Sequence, residues 1–177
     1  MSKPDDGRAT LIQPSTIRFE RLLPGPIERV WEYLTVSEKR AAWLAAGEFD
    51  LRVGGRIELI VNNERLSDEK PAAGAPAGGK KKVEGRITRL EPPRVLAHTW
   101  NWDGNETDVL YELTPKGKDV LLVIHHRLPD VRDLKVGVGG GWGAHTGILA
   151  DVLDGVKPRG FFSTHARLMK EFAAANA

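Results

Sequence analysis

Gly137-Val-Gly-Gly-Gly-Trp142-Gly-Ala-His145 opens the part of the chain whose reading decides the fold. Downstream of it, His145, Ile148, Leu149 and Val152 recur at helical spacing, and Gly155 followed by Pro158 reads as a helix end. A second stripe, Phe161, Phe162, His165, Leu168, Met169 and Phe172, predicts a last helix. From Pro129 to Gly143 the composition predicts irregular chain, with the glycines acting as a lid or hinge. Upstream, from about Ile17 to Leu128, the patterning is mainly that of strands. A strand-rich body closed by an amphipathic helical tail predicts a curved sheet gripping a helix, with a pocket between the two.

Working outward, Thr16-Ile17-Arg18-Phe19-Glu20-Arg21-Leu22 alternates with period two, a half-buried strand, and Pro24-Gly25-Pro26 stops it. Ile27, Val30, Trp31 and Leu34 line one face of a short helix, and Ser37 suits the start of a second one reaching Trp43. Strands are expected at Phe49–Leu51, Ile57–Val61, Val83–Ile87, Val95–Trp102, Thr107–Leu113 and Val120–Leu128. The order of one strand, two short helices, about six more strands and then helices makes the class α+β. Residues 1–14 are polar and aperiodic and predict a disordered lead to a single domain over 15–177. Within that domain, residues 67–82 (Pro-Ala-Ala-Gly-Ala-Pro-Ala-Gly-Gly at their heart) predict a mobile hairpin insert, because they lack apolar surface to offset ordering entropy.

A chain of 177 residues with 41% hydrophobic and 28% charged residues has the composition of one soluble globular domain. The net charge of +2 gives no argument for a nucleic-acid or anionic membrane surface. There is no cysteine, which rules out disulfides, thiolate nucleophiles and Cys-based metal sites. The polar N-terminus has no apolar stretch of a secretory signal, and no run of 18 apolar residues predicts a membrane span. A cytoplasmic location is the expectation.

Histidine is the best candidate for chemistry. His98, Trp100 and Trp102 share one face of their strand, and His125 and His126 point to opposite faces of theirs. If His98, His125 and His145 met in one interior they could carry protons, ligate a metal or hydrogen-bond a ligand. The plain alternative is that each is a core-edge histidine satisfied by a protein partner. No HExxH and no acidic cluster at ligand spacing suggests a metal, and no cofactor is implied. The aromatics Trp43, Phe49, Trp100, Trp102, Tyr111 and Trp142, with Ile57 and Leu59, are candidates for the wall of an apolar cavity or simply for core. GxGxxG fails because Trp142 stands where the last glycine belongs, and GxxxxGK[ST] lacks its lysine. There is no GxSxG.

Pro26-Ile-Glu-Arg-Val-Trp-Glu-Tyr-Leu34 followed by Trp43-Leu44 resembles the opening of the SRPBCC (START-like, Bet v 1-like) superfamily. Val53-Gly-Gly-Arg-Ile57, Gly85-Arg-Ile-Thr-Arg-Leu-Glu-Pro-Pro-Arg-Val-Leu96, Thr99-Trp100 and Tyr111-Glu-Leu-Thr-Pro115 are similar to the branch named for the C-terminal domain of the activator of Hsp90 ATPase. The tail, with Gly141-Trp142, His145, Leu149, Gly155, Pro158, Phe161 and His165, is similar to bacterial members. The resemblance implies a helix-grip fold: a curved antiparallel sheet of about seven strands, two short helices after the first, and a C-terminal helix over the concave face, here broken near Pro158. It implies no catalytic apparatus. Three functions are therefore in view. The first is binding of a small apolar, planar ligand in the sheet–helix cavity. The second is an interaction domain for a chaperone or other protein partner, and the third a cyclase- or isomerase-type enzyme using a cavity histidine or a tyrosine such as Tyr111. Oligomeric state is not written in the sequence.

Overall fold

The computed structural model describes residues 7–75, 79–102 and 104–177, without the side chain of Gln13. Its centre is one seven-stranded antiparallel sheet, ordered β1-β2-β7-β6-β5-β4-β3. The strands are β1 (Arg8–Gln13), β2 (Thr16–Pro24), β3 (Arg56–Val61), β4 (Lys81–Glu91), β5 (Val95–Trp102), β6 (Asn105–Lys116) and β7 (Asp119–Arg127). Helices α1 (Ile27–Thr35) and α2 (Ser37–Ala41) follow β2, and α3 (Arg132–Leu153) and α4 (Phe161–Ala175) end the chain. Period-two burial runs through the middle strands: Ile17, Phe19, Arg21 and Leu23 on β2, and Val120, Leu122, Ile124 and His126 on β7, all face inward. This is the helix-grip arrangement, α+β with α3 laid across the concave face.

Seven strands are present, but they are not the seven that the patterning indicates. Residues 8–13, expected within a disordered lead, pair with β2 instead, and Ala9 and Leu11 pack against a small core of Ile17, Leu128 and Phe172. Residues 1–6 of that lead lie outside the described residues. The two short helices thus follow the second strand. The Phe49–Leu51 segment makes only isolated bridges, Ala46 to Ile60 and Phe49 to Ile57.

The segment after α2 is pinned by a buried cation. The Arg40 guanidinium donates to the carbonyls of Ala45 (3.1 Å), Leu34 (3.2 Å), Thr35 (3.2 Å) and Gly47. It also lies over the Phe49 ring, 3.7 Å from its centroid. Burial lowers its pKa to about 10, which leaves it charged at neutral pH. Four carbonyls that the chain turns inward are satisfied by one side chain, so Trp43 and Phe49 are locked into core positions.

The largest departure from expectation is α3. Residues 132–143, expected to be irregular, are the first half of a continuous 22-residue helix, about 33 Å long. The glycines are there because α4 packs directly on them. A Cβ on Gly139 would meet the Phe172 ring at 2.8 Å, one on Gly140 Met169 Cγ at 2.6 Å, and one on Gly143 Leu168 Cδ1 at 2.5 Å. The contacts run antiparallel, so α3 and α4 form a close-packed hairpin. Gly155, with φ +71, ends α3 in the left-handed conformation expected past a helix C-terminus. Arg159 then clamps Asp151 with two charge-assisted bonds of 2.8 Å.

The insert is not free of the body over its whole length. Ser67 and Glu69 bond the first turn of α4, and Lys157 pairs with Asp68 at 2.9 Å. Residues 76–78 of the insert lie outside the described residues. Among the described residues no helix is long and apolar enough to cross a membrane.

Candidate functional site

Between the β5–β6 end of the sheet and the first half of α3 lies a cavity of about 280 Å³. Its sheet wall is Trp100, Trp102, Thr107, His126 and Val61; its helix wall is Leu134, Gly137, Val138, Gly141, Trp142 and His145; Phe161 and His165 of α4 close one side. The lining is mostly apolar, as in small-molecule sites. Two of the glycines differ from their neighbours. A Cβ on Gly137 would meet nothing within 4 Å, and one on Gly141 would meet only His165 Nε2 at 3.9 Å. Neither is needed for the docking of α4; both open onto the cavity.

An aromatic lattice forms the floor. Trp142 stands edge-on to Trp100 and Tyr111, with centroids 6.1 and 5.8 Å away, and Trp100 leans on Trp102 at 6.4 Å. Edge-to-face spacings of this kind add to the packing of each ring.

Hydrogen bonding fixes the histidine tautomers. The Trp142 indole, which can only donate, gives its N–H to His126 Nδ1 at 3.1 Å. His126 therefore carries its proton on Nε2 and donates to Thr107 Oγ1 at 2.9 Å, and the Thr107 hydroxyl donates to the Trp100 carbonyl at 2.9 Å. Burial, with His98 nearby, pushes the His126 pKa down to about 3. His98 donates from Nδ1 to the Thr99 carbonyl at 2.8 Å, so its Nε2 accepts from the Tyr111 hydroxyl at 3.2 Å. Burial lowers His98 to about 4 and raises Tyr111. His145 donates from Nδ1 to the Trp43 carbonyl at 2.8 Å, leaving Nε2 with a lone pair and no partner among the described residues. Burial, with His165 adding to it, lowers its pKa to about 4. His165 itself donates from Nε2 to the Gly137 carbonyl at 3.1 Å. At the cavity wall the fully enclosed Oδ1 of Asn63 likewise has no partner among the described residues.

Of the residues singled out from the sequence, Trp100, Trp102, Trp142 and His145 line this cavity. Trp43, Phe49, Ile57, Leu59, His98 and Tyr111 stand on the inner side as core behind it, with His98 and Tyr111 satisfied by each other. His125 is on the wrong face: it lies on the outer side of β7, 3.7 Å from the Glu112 carboxylate, and its neighbour His126 takes the inward position. The three histidines His98, His125 and His145 therefore do not converge. Among the described residues no group of three or more His, Asp or Glu is arranged to hold a metal ion. Reading the sequence missed His126, Thr107, Gly137, Gly141 and His165. For His126 and Thr107 the period-two signal was present, and only the choice of face was wanting.

The fold and the cavity define a helix-grip protein with an apolar recess between sheet and helix. Residues 24–154 match the family model described as Activator of Hsp90 ATPase homolog 1-like protein, and the chain belongs to that family. Among solved structures it is similar to the protein encoded by gene BPP1335 from Bordetella parapertussis. The two are 40% identical over 97% of this chain and 94% of that one, with a TM-score of 0.77. CalU16 from Micromonospora echinospora shares the fold at 23% identity and TM-score 0.68, over 95% of this chain and 94% of that one. Protein NE0264 from Nitrosomonas europaea does so at 20% identity and TM-score 0.65, over 82% and 97%. No curated protein matches the chain.

Proposed function

We propose that the protein binds a small, planar, mostly apolar molecule in the recess between β5–β6 and α3. The observation that carries this reading is an unfilled volume of about 280 Å³ walled by three tryptophans and two bare glycines. An apolar cavity of roughly 150 Å³ takes one benzene ring, so this one suits about two fused rings. Alternating flat indole faces and helix backbone without side chains favour a flat occupant. No observation of comparable weight favours the partner-binding alternative. Nor does one favour the enzyme alternative: Tyr111 is buried and bonded to His98, and an imidazole with its pKa near 4 is a weak base at neutral pH.

The test is a titration with 2-methoxynaphthalene, followed by backbone amide shifts. Saturable one-to-one binding is expected, with shifts confined to β5, β6 and the first half of α3. Gly141→Leu, which places a side chain in the recess, is expected to weaken it at least tenfold. Absence of saturable binding, or an unchanged affinity in Gly141→Leu, would overturn the reading.

A further inference from the structure

We propose that His145 is the polar anchor of this site, receiving on Nε2 a hydrogen bond from an O–H or N–H group of the ligand. The inference rests on the planar-ligand reading and adds to it the chemistry of the ligand's polar end. Three observations carry it. His145 Nδ1 is committed to the Trp43 carbonyl, which can only accept, so the neutral ring presents Nε2 as a lone pair and not as a donor. Next, His145 lies on the cavity wall one helical turn from Gly141, its ring 4.8 Å from that of Phe161 between centroids, and no hydrogen bond among the described residues engages that nitrogen. Finally, four donors around the cavity are engaged within the protein: Trp142 with His126, His126 with Thr107, Thr107 with the Trp100 carbonyl, and His165 with the Gly137 carbonyl.

The ligand class that fits carries a donor at one edge of a flat ring system, such as a phenol, an enol or an aromatic N–H. A ketone or ether at that edge would set two acceptors against each other. Gly137 and Gly141 complete the arrangement, because bare backbone on the same face of α3 lets the ring plane approach the helix while its edge reaches His145. The depressed pKa keeps the imidazole neutral through the physiological range, so the acceptor is present without a change of pH.

The experiment pairs 2-naphthol with 2-methoxynaphthalene, alike in ring system but differing in the capacity to donate. Affinities are measured by amide shift titration at pH 7 on the wild type and on His145→Phe, which retains a flat ring. Wild type is expected to favour the naphthol roughly fivefold more than the variant does, about what one net hydrogen bond supplies. The imidazole nitrogen signals of the wild type give a second readout that needs no variant. The His145 Nε2 signal is expected to move upfield with the naphthol and to stay in place with the ether. If both compounds bind with the same preference in the two proteins, or the Nε2 signal ignores the naphthol, the anchor is overturned and the cavity reading stands. If neither compound binds the wild type, the cavity reading falls and the anchor with it. Should His145→Phe fail to fold, the nitrogen signals decide alone.

Discussion

A histidine buried in its neutral form is a store of acid sensitivity, and two of them stand behind and beside this cavity. His98 and His126 are 1% and 4% exposed, with pKa values pushed down to about 4 and about 3 from an ordinary 6.5. The unfolded chain binds protons at these sites below pH 6.5, and the folded chain does not until the pH is far lower. Stability therefore rises with pH between the folded and unfolded values and is flat above them. Lowering the pH from 6.5 to 5 is expected to remove about 2 kcal/mol per histidine. Urea unfolding at pH 7 and pH 5 checks it, and His126→Gln should lose less than wild type on acidification. Equal stability at both pH values would contradict the burial of these rings. The same residues mark where legibility in the sequence stops. Alternation states that His125 and His126 face opposite ways, but Leu121 and Val123 are as apolar as Leu122 and Ile124. Only the pairing of β7 with β2 and β6, and the arrival of Trp142 from α3, decides which row is inside.

At the scale of elements, strands were legible and the long helix was not. Strand alternation is local, and β2, β5, β6 and β7 appear near their expected limits. Glycine, by contrast, has a low helix propensity of its own, about 1 kcal/mol worse than alanine, so five glycines between 137 and 143 read as loop. Tertiary packing reverses that reading, because α4 comes close enough to need them. The strand β1 was missed for a related reason: two apolar residues, Ala9 and Leu11, are too weak a pattern until β2 and the small core beside them are in place. This account makes glycines of one helix differ in sign. Gly137→Ala fills open space and should stabilise by roughly 0.5–1 kcal/mol, the ordinary gain of alanine in a helix. Gly140→Ala forces a Cβ to 2.6 Å from Met169 Cγ and 2.8 Å from its backbone nitrogen, and should destabilise by about 1–3 kcal/mol. Thermal melting of the two variants separates them. Shifts of the same sign would mean that α4 does not dock where the structure has it.

Across the whole molecule, the insert between β3 and β4 reaches the site through α4. Residue Gly160 ahead of α4 has no side chain with which to cap it, and a segment more than ninety residues away does so instead. Ser67 Oγ accepts from the Phe161 amide at 3.0 Å, and the Glu69 carboxylate accepts from the Ser163 amide at 2.6 Å and from its hydroxyl at 2.5 Å. The carboxylate sits at the positive end of the helix, and these bonds hold Glu69 below the usual carboxylate range. The composition of 67–82 concealed this, since a capping contact needs one serine and one glutamate and no apolar anchor. The helix so capped carries Phe161 in its first turn, and His165 one turn on, to the cavity. Replacing both Ser67 and Glu69 by alanine is expected to cost roughly 1 kcal/mol per cap, well short of unfolding the domain. Local opening of the first turn of α4 should then become more frequent, and amide exchange at Phe161–Thr164 is expected to accelerate about tenfold or more, with β2 and β7 unchanged. Affinity for 2-methoxynaphthalene should stay close to that of the wild type, because the closed helix start remains the dominant state. Unaltered exchange in α4 would show that the helix start is held by its packing on α3 alone.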